Sequence, residues 1–339
     1  MKKSALITGV SGQDGAYLSR YLIGLGYSVY GGVRRLSTPN YWRLEELRLL
    51  EEENFKLVDL DICDGVNCRA VISEIKPTEL YNLAAQSFVG TSFNQPTYTQ
   101  DVTGNGCLNL LEAIKQCSSD TKFYQASTSE LYGLVQAVPQ DETTPFYPRS
   151  PYAIAKQYAH WMTINYRESY NIFASTGILF NHESPLRGEE FVTRKITKSV
   201  AQIKHQQLDL LELGNLDAKR DWGYAKEYVE GMYKILQHDI PDNFVLATGQ
   251  TSSVRDFLIK AFEVAEIELV FEGDGVNEVG RDKKTSKVLV KVNPKWFRPA
   301  EVELLIGNPD KAKRLLNWQH STNIDKLAQI MVQSDLDRL

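Results

Sequence analysis

The sequence predicts an α/β protein in which a doubly wound parallel sheet of the Rossmann type is joined to a smaller, mixed α/β lobe. Over the first 180 residues, strand-like apolar runs alternate with helix-like patterns, as in a parallel sheet that is covered on both faces. A glycine-rich turn stands between the first strand and the first helix. After Asn181 the alternation gives way to short strands and irregular segments, which indicates a second, smaller unit.

Each element of the first part is predicted from its hydrophobic pattern. Short apolar runs predict six strands, at residues 5–8, 28–33, 55–59, 79–83, 122–126 and 173–179. Amphipathic periodicity predicts helices between them, at residues 16–25, 64–75, 96–117 and 152–170. Because crossovers between parallel strands are right-handed, these helices would cover both faces of one sheet.

The second part is less regular. Helices are predicted at residues 193–204 and 225–237, with another beyond Ser252, and strands at 208–213 and 243–248. The charged stretch 272–287 contains three glycines and is predicted to be a polar loop, either a mobile lid or a solvated connection. We divide the chain into residues 1–180 and 181–339, and leave open that the second part crosses back to the sheet.

Length and composition are those of an ordinary globular protein, with 339 residues, 42% hydrophobic and 24% charged. A net charge of −5 and an isoelectric point near 5.7 argue against nucleic acid or an acidic membrane surface as a partner. No apolar run is long enough to span a membrane, and Met-Lys-Lys leads directly into a strand, so we expect a cytoplasmic protein without a signal peptide. The spacing of the cysteines indicates reduced thiols and no metal site; they are Cys63, Cys68, Cys107 and Cys117.

The glycine-rich turn has the spacing Gly-x-x-Gly-x-x-Gly and predicts a dinucleotide site. Glycines at this spacing permit a tight turn, close approach of the backbone to a pyrophosphate, and close packing of helix on strand. The pyrophosphate would meet the free N–H groups and the positive dipole end of the helix. A turn without a ligand is the alternative, but the position between strand and helix speaks against it. The loop residues predicted to bind the cofactor are Gly9, Gly12, Gln13, Asp14 and Gly15.

The end of the second strand favours NADP over NAD. Arg34 and Arg35 stand there with no acidic residue, and guanidinium groups suit a 2′-phosphate, whereas an acid would hold the ribose of NAD. A solvated charge pair or a subunit contact is the alternative for both arginines. Ligands lie beyond the carboxyl ends of parallel strands. The end of the third strand should therefore contact the adenine, and the end of the fourth strand should contact the pyrophosphate and the nearby ribose. The residues predicted there are Asp59, Leu60, Leu83, Ala85, Gln86 and Ser87.

Tyr152 and Lys156 form the strongest catalytic signal. Four residues apart on a helix, they share a face, so the ammonium can lie beside the phenol. A nearby cation favours the phenolate and should lower the pKa of Tyr152, which makes it a base for a sugar or alcohol hydroxyl. Tyr-x-x-x-Lys also occurs on ordinary amphipathic helices, and the dinucleotide loop is what gives the pair its weight.

The fifth strand leads to a third group, Glu130. A simple alcohol oxidation needs only the Tyr/Lys pair and a hydroxyl donor such as Thr128, so an additional carboxylate implies a second proton transfer. A polar helix cap at residues 127–129, with Glu130 as its capping partner, is the structural alternative.

These features resemble the extended short-chain dehydrogenase/reductase superfamily and, within it, the GDP-mannose 4,6-dehydratase family. The resemblance covers nearly the whole chain, and the second part matches as well as the first. Two departures are Ala153 after the tyrosine, where many members of the superfamily have glycine, and residues 36–42, where the family commonly has a serine-rich segment. The matching stretches are residues 82–87, 125–133, 145–152, 177–187, 191–195, 213–223 and 297–302.

The resemblance implies that NADP is recycled while GDP-α-D-mannose becomes GDP-4-keto-6-deoxy-D-mannose, a step towards GDP-deoxyhexoses such as GDP-fucose or GDP-rhamnose. Tyr152 would take the O4 proton as the C4 hydride passes to NADP, with Thr128 bonded to O4. Glu130 would then take the C5 proton as water leaves from C6, and the hydride would return to C6. Lys156 would hold the ribose. The resemblance also implies a homodimer or homotetramer.

Further site residues follow from the same resemblance. Tyr98, His182 and Arg187 are expected to bind the cofactor, although His182 could equally be structural. Each arginine or lysine of the second part could instead form a surface salt bridge. The residues expected to bind the sugar nucleotide are Ser87, Thr128, Glu130, Asn181, Lys195, Arg220, Arg281, Arg298 and Glu301.

Two alternatives remain at this stage. One is a neighbouring enzyme, either a dehydratase for a related GDP-sugar such as GDP-manno-heptose or a sugar-nucleotide epimerase; Glu130 argues against the epimerase, which needs no base at C5. The other is a non-catalytic NADP-binding regulator, which would not need the full set of four catalytic residues.

Overall fold

The main structural feature is a seven-stranded parallel sheet. The computed structural model describes residues 3–296 and 304–339. Its strands, in chain order, are β1 (Ser4–Thr8), β2 (Ser28–Val33), β3 (Phe55–Asp59), β4 (Glu79–Asn82), β5 (Lys122–Thr128), β6 (Ala174–Leu179), β7 (Asn181–Glu183), β8 (Leu211–Leu213), β9 (Lys219–Arg220), β10 (Trp222–Tyr224), β11 (Asn243–Leu246), β12 (Ser252–Ser253), β13 (Leu269–Glu272), β14 (Val279–Asp282) and β15 (Val288–Val292). The large sheet has the order β11-β6-β5-β4-β1-β2-β3, and all neighbouring pairs are parallel. The predicted α/β class and doubly wound sheet are therefore confirmed.

Helices cover both faces of this sheet. They are α1 (Gln13–Gly24), α2 (Trp42–Glu46), α3 (Gly65–Ile75), α4 (Val89–Asn94), α5 (Pro96–Gln100), α6 (Gly106–Cys117), α7 (Pro151–Tyr170), α8 (Val192–Lys204), α9 (Ala225–Gln237), α10 (Val254–Val264), α11 (Asp310–Leu316) and α12 (Ile324–Asp337). Helices α1 and α9 pack into the apolar core on one face, and α3, α6 and α7 into the core on the other. None of the helices in the described segments combines the length and the apolar composition that a transmembrane span requires.

The long helix predicted over residues 96–117 is interrupted. Between α5 and α6, residues Asp101–Asn105 form a π-helical turn, and the hydroxyl of Thr103 accepts a hydrogen bond of 3.2 Å from the backbone N–H of Gln86. Gly106 follows, and a Cβ there would lie 2.6 Å from a side-chain carbon of Ile62. The wider turn brings the helix close to the segment after β4, and the small residue lets it pass close to the segment after β3. A periodicity argument does not detect such a local change.

The second part of the chain builds a smaller sheet and also rejoins the large one. Strands β13, β14 and β15 pair antiparallel, β8 adds in parallel, and α8, α10 and α12 pack against their apolar side. The prediction of a polar loop over residues 272–287 is wrong, because β14 lies within it and pairs on both sides. Strand β11 extends the large sheet beside β6, and α9 lies on its face. The division into two functional domains stays a prediction.

Asp221 joins the smaller lobe to the sheet edge. Its carboxylate is fully buried and accepts hydrogen bonds from the backbone and hydroxyl of Thr248, at 2.8 and 2.6 Å, and from Gly249 at 2.9 Å. The backbone N–H of Gly307 donates to the same carboxylate at 3.3 Å. Burial raises the pKa of Asp221, and these donors offset part of that rise. A buried carboxylate satisfied in this way fixes the end of β11 against the lobe.

Candidate active site

Two adjoining cavities lie where the central strands of the large sheet end. The larger, about 410 Å³, lies against the segments that follow β1, β2, β3 and β4. The smaller, about 160 Å³, lies against the ends of β5 and β6 and the start of α7. Leu83, Ala85 and Ser87 line both cavities, so the two form one continuous site. The strand order reverses between β1 and β4, which is the place where doubly wound sheets bind ligands.

The structure brings most of the predicted site residues to these cavities. The larger cavity is lined, among others, by Gly9, Gly12, Arg34, Leu60, Leu83, Ala85, Ser87 and Tyr98. The smaller is lined, among others, by Asp14, Ser87, Thr128, Glu130, Tyr152, Lys156, Asn181, His182 and Arg187. The two sets come from segments as far apart in sequence as the first and the sixth strand, and the parallel sheet brings them together because it aligns its carboxyl ends on one edge.

A buried chain of hydrogen bonds fixes the three central strand ends. The Thr8 hydroxyl donates to the Asn82 side-chain oxygen at 2.7 Å, and the Asn82 amide donates to the Gln125 side-chain oxygen at 2.7 Å. The same Thr8 oxygen accepts from the backbone N–H groups of Leu83 and Ala84, each at 3.1 Å. All three polar side chains are almost completely buried, so their mutual satisfaction sets the path of the chain after β4.

The glycine loop fits a pyrophosphate by its backbone. Gly9 has φ +65°, and a Cβ there would lie 2.8 Å from the Ala84 nitrogen. A Cβ on Gly15 would lie 2.5 Å from the Val10 α-carbon. These positions tolerate only glycine, and Gly12 provides the N-terminal cap of α1 without a side chain over the helix end. Gly12 lines the larger cavity, so the N-terminal end of α1 lies at its wall, as a bound dinucleotide requires.

Gln13 and Asp14 hold the segment after β6 through their side chains. The Gln13 amide donates to the His182 carbonyl at 3.1 Å and accepts from the Ser184 hydroxyl at 2.7 Å. An Asp14 oxygen lies 2.8 Å from His182 Nε2. Asp14 lines the smaller cavity, whereas Gln13 lies behind the loop. The side chain of Gln13 thus joins the loop to β7 and the residue that follows it, and its cofactor contact stays a prediction.

The surroundings of His182 favour its positively charged form. Its Nδ1 faces the Phe180 carbonyl at 2.8 Å and its Nε2 faces the Asp14 carboxylate, so both nitrogens meet acceptors and both must donate. Burial alone would lower the pKa of His182, but the Asp14 charge and hydrogen bond raise it. Burial likewise opposes ionisation of Asp14, yet the His182 charge, with hydrogen bonds, lowers the pKa of Asp14 to about 2. The imidazole ring stacks on Tyr228, with centroids 4.6 Å apart.

Tyr152 and Lys156 lie in the first turns of α7. The helix begins after Ser150, whose hydroxyl accepts from the Ala153 N–H at 3.1 Å, and Pro151 occupies the first helical position. Lys156 is buried, and its ammonium donates to the Ala126 carbonyl at 2.7 Å while lying 5.9 Å from the centre of the Tyr152 ring. The predicted common face is confirmed by this contact geometry.

The predicted fall in the pKa of Tyr152 is wrong. Burial of the phenol raises that pKa well above its usual value, and a hydrogen bond with Thr128 offsets only part of the rise. Burial acts on Lys156 in the opposite sense and lowers its pKa to about 8. Desolvation is thus the largest influence on both groups, and an argument from the Tyr-x-x-x-Lys spacing does not include it.

Thr128 and Glu130 lie on the turn that ends β5. The Thr128 oxygen accepts from the Glu130 N–H at 3.3 Å and so caps the short helical turn Ser129–Leu131, as the structural alternative predicted for this polar run. Thr128 nevertheless also bonds to Tyr152, and the charge of Glu130 is close enough to raise the pKa of Tyr152. The cap therefore holds these two side chains at the cavity wall rather than removing them from it.

The adenosine end of the site differs from the sequence prediction in three respects. Arg34 lines the cavity and donates to the Tyr98 hydroxyl at 3.1 Å, but Arg35 is exposed and lies outside the lining. Asp59 is exposed at the end of β3, and Asp61 takes its place at the wall beside Leu60. Gln86 turns away, because its amide bonds to the Phe88 backbone and the Thr99 hydroxyl.

The residues predicted to bind the sugar nucleotide are separated into two groups. Asn181 lines the smaller cavity together with Ser87, Thr128 and Glu130. Arg187, which was expected to bind the cofactor, lines the same cavity, and its guanidinium lies 3.1 Å from a Glu183 oxygen and 3.6 Å from the Phe191 ring centre. Three described residues of the predicted set lie outside both linings: Lys195 donates to the Glu212 carbonyl, Arg220 donates to the Lys219 carbonyl, and Arg281 pairs with Glu272. Two further predicted residues, Arg298 and Glu301, fall outside the described segments.

Several lining residues were missed at the sequence level. Arg43, Asp61 and Phe191 contribute to the cavity walls, although none belongs to a glycine loop or a catalytic motif. Phe191 carries the Arg187 guanidinium on its face, and the run Phe-Val-Thr-Arg-Lys that begins at this residue was the only signal for it. Among the residues that the structure describes, no group of three or more metal-ligating side chains could hold a metal ion.

The Asp14–His182 pair predicts a pH window of stability. Asp14 has a lowered pKa, so its contribution is present above the unfolded value of about 3.9 and is lost as the pH falls towards 2. His182 has a raised pKa, so its contribution is present below about 6.5 and is lost as the pH rises. We expect Asp14→Asn to destabilise the protein by about 2–3 kcal/mol between pH 4 and 6.5, and by less outside that window.

Urea unfolding of the wild type and the variant from pH 3 to 9 measures this difference. Asp239→Asn, at an exposed position, is the matched control and should leave the difference near zero throughout. A loss for Asp14→Asn that does not change with pH would show that the two groups do not titrate as an ion pair.

Comparison with known proteins finds relatives of one family that match nearly the whole chain. The model of the family described as GDP-mannose 4,6 dehydratase matches residues 6–331. A GDP-mannose 4,6 dehydratase of Homo sapiens is 54% identical, covering 98% of this chain and 91% of the relative. One from Sinorhizobium fredii is 52% identical and covers 100% of this chain and 98% of the relative.

Solved structures show the same fold at low sequence identity. The NADPH complex of RMD from Pseudomonas aeruginosa has a TM-score of 0.78 at 20% identity, and covers 100% of this chain and 99% of that one. The UDP-glucuronic acid 4-epimerase of Bacillus cereus, in complex with UDP-glucuronic acid and NAD, has a TM-score of 0.82 at 19% identity and covers 99% and 100% of the two chains. By the family model and by identity above one half over nearly its full length, the chain belongs to the GDP-mannose 4,6-dehydratase family.

Proposed function

We propose that the protein is an NADP-dependent GDP-mannose 4,6-dehydratase, which converts GDP-α-D-mannose to GDP-4-keto-6-deoxy-D-mannose. One observation carries this proposal: Thr128, Tyr152 and Lys156 share a single small cavity with a further carboxylate, Glu130. A plain dehydrogenase needs only the first three groups. A dehydratase needs a second acid/base group that acts on a neighbouring carbon.

The larger cavity suits NADP. The glycine loop would hold the pyrophosphate, Leu60 and Asp61 would flank the adenine, and Arg34 with Tyr98 would meet the 2′-phosphate. Lys156, fixed at the wall of the smaller cavity by the Ala126 carbonyl, would hold the nicotinamide ribose. When bound, NADP supplies a hydride acceptor that later returns the hydride.

Tyr152 is proposed to take the proton from O4 of the mannose ring. Its phenolate would be a strong base, because burial raises the pKa of the phenol. The nearby groups that favour the phenolate are the Thr128 hydroxyl, through a hydrogen bond, and the Arg187 guanidinium, through its charge. The Lys156 ammonium lies 5.9 Å from the centre of the Tyr152 ring, and burial lowers its pKa to about 8. Thr128 would bond O4 at the same time, since it already contacts the Tyr152 hydroxyl.

Glu130 is proposed to move the second proton. Oxidation at C4 makes the C5 proton acidic, and a carboxylate in the same cavity can remove it while water leaves from C6. The backbone of Glu130 is held by the Thr128 cap, so the base for C5 and the hydrogen-bond partner of O4 lie two residues apart on one rigid turn. Two residues of one short turn would thus serve adjacent carbons of the sugar.

The nucleotide part of the substrate is proposed to extend from the smaller cavity towards the second lobe. Asn181 and Arg187 are at the cavity, and Arg187 has the planar guanidinium that suits a diphosphate. We assign the more distant contacts to Lys195, Arg220 and Arg281, with Arg298 and Glu301 as predicted from the sequence.

A homodimer or homotetramer is proposed as the working assembly. Helix α7 exposes three large apolar side chains at helical spacing, Ile154, Tyr158 and Trp161, with exposed fractions of 55%, 36% and 54%. An exposed apolar stripe of this kind is typical of a protein interface. The cytoplasmic location expected from the sequence stays a prediction.

The activity itself predicts a specific mass change. Incubation with GDP-mannose should yield a sugar nucleotide lighter by one water, with no net gain of NADPH, because the hydride is returned within each turnover. Mass spectrometry of the product, with absorbance recorded in parallel, makes the measurement. A product lighter by two hydrogens, with one NADPH per product, would instead identify a plain dehydrogenase.

Two variants separate the proton transfers. Glu130→Gln keeps the size of the side chain but removes the base, so oxidation at C4 should survive while elimination stalls. Rapid mixing should then show reduced-cofactor absorbance that rises once per site and persists. Tyr152→Phe should show no such rise, and each variant should lose roughly 10²–10⁴-fold in turnover.

The matched control is Tyr147→Phe, at an exposed position outside both cavity linings, which should retain wild-type turnover. Near wild-type turnover by Glu130→Gln would remove its role at C5 and leave only its place in the Thr128 turn.

A further inference from the structure

Arg43 is a charged residue of the larger cavity for which neither the motifs nor the proposed mechanism has a use. It lies on α2, shortly after the paired arginines that follow β2, and lines the same cavity as Arg34 and Tyr98. Its side chain is half-buried, and the guanidinium stacks on the Trp42 ring with 4.5 Å between the guanidinium carbon and the ring centre.

The hydrogen bonds of Arg43 fix it between two parts of the site. Its Nε donates to the Leu186 carbonyl at 2.6 Å, and its Nη1 donates to the Ser11 carbonyl at 3.3 Å. Ser11 belongs to the glycine loop, and Leu186 belongs to the segment that carries His182 and Arg187. The third nitrogen, Nη2, forms no hydrogen bond with the residues that the structure describes. The guanidinium is thus oriented by neutral oxygens and keeps donors for a ligand.

The charges around this wall favour an anion. Within the described segments, the side-chain hydrogen bonds of Arg34 go to the Tyr98 hydroxyl and those of Arg43 to carbonyl oxygens, so neither guanidinium is hydrogen-bonded to a carboxylate. Burial lowers the pKa of Arg43; the charges of the exposed Glu190 and of Asp14 oppose this, and those of Arg187 and Arg194 add to it. A partly buried guanidinium whose hydrogen bonds go only to neutral oxygens gains from a charge-assisted bond to an added anion.

We propose that Arg43 is a second ligand of the 2′-phosphate of NADP, and that together with Arg34 it sets the preference for NADP over NAD. Two guanidinium groups match the charge of a phosphate dianion, whereas the ribose hydroxyl of NAD offers neither the charge nor the extra acceptors. This role replaces the one that the sequence suggested for Arg35, which lies outside the cavity lining. The inference rests on the proposed use of NADP at this site.

Binding of two adenosine fragments to the full-length protein tests the assignment without catalysis. Adenosine 2′,5′-bisphosphate carries the 2′-phosphate, and adenosine 5′-monophosphate lacks it. Titration calorimetry should show that the wild type prefers the bisphosphate. Arg43→Gln should weaken binding of the bisphosphate by about ten- to a hundredfold and leave the monophosphate nearly unchanged. Arg43→Lys should lie between the two, because it keeps the charge but not the fork.

The matched control is Arg48→Gln, which removes an exposed arginine near α2 that does not line the cavity and should bind both fragments as the wild type does. Equal weakening of both fragments by Arg43→Gln would overturn the proposal, and so would unchanged affinity for the bisphosphate: the first would show that Arg43 acts only through Ser11 and Leu186. A wild type without any preference would refute the 2′-phosphate site itself. Because the fragments undergo no reaction, each of these results is independent of whether GDP-mannose is dehydrated.

Discussion

The site depends above all on the buried hydrogen bonds that join Thr8, Asn82 and Gln125 across the ends of three parallel strands. These side chains have no access to water, so each must find its partner in the neighbouring strand, and only one relative position of the strand ends satisfies all of them. That position places the glycine loop, the segment after β4 and the catalytic turn after β5 around one space. The cofactor cavity and the catalytic cavity are continuous because of it.

The ionisable groups of the catalytic cavity influence the charge states of one another. Burial acts on each ionisable group of the catalytic cavity, and the outcome depends on the partner. Asp14 and His182 each favour the charged form of the other, whereas burial lowers the pKa of Lys156 to about 8 and makes the phenol of Tyr152 harder to ionise. The Asp14–His182 pair also links the start of α1 to the segment that follows β6. The groups that hold the architecture and those proposed to move protons are therefore parts of one electrostatic arrangement.

The fold could be predicted from the sequence because its signals are local: apolar strands, amphipathic helices and a glycine spacing that only a few turns allow. The catalytic cavity could be predicted because the sheet brings its motifs to one edge. The positions of Arg43 and Asp61 at the cavity wall could not be predicted, because they depend on how α2 and the end of β3 pack. The pKa of Tyr152 was predicted with the wrong sign, because sequence spacing shows the nearby cation but not the burial. The strand within residues 272–287 was missed because its charged surface is that of a loop.

The central claim is that one cavity removes a hydride from C4 and returns it to C6 while Glu130 exchanges the proton at C5. GDP-mannose labelled with deuterium at C4, converted in ordinary water, tests it most directly. Nuclear magnetic resonance of the product should find the deuterium at C6, and a reaction of unlabelled substrate in heavy water should place solvent deuterium at C5. Loss of the C4 label to solvent or to an external pool of cofactor would contradict a single closed site.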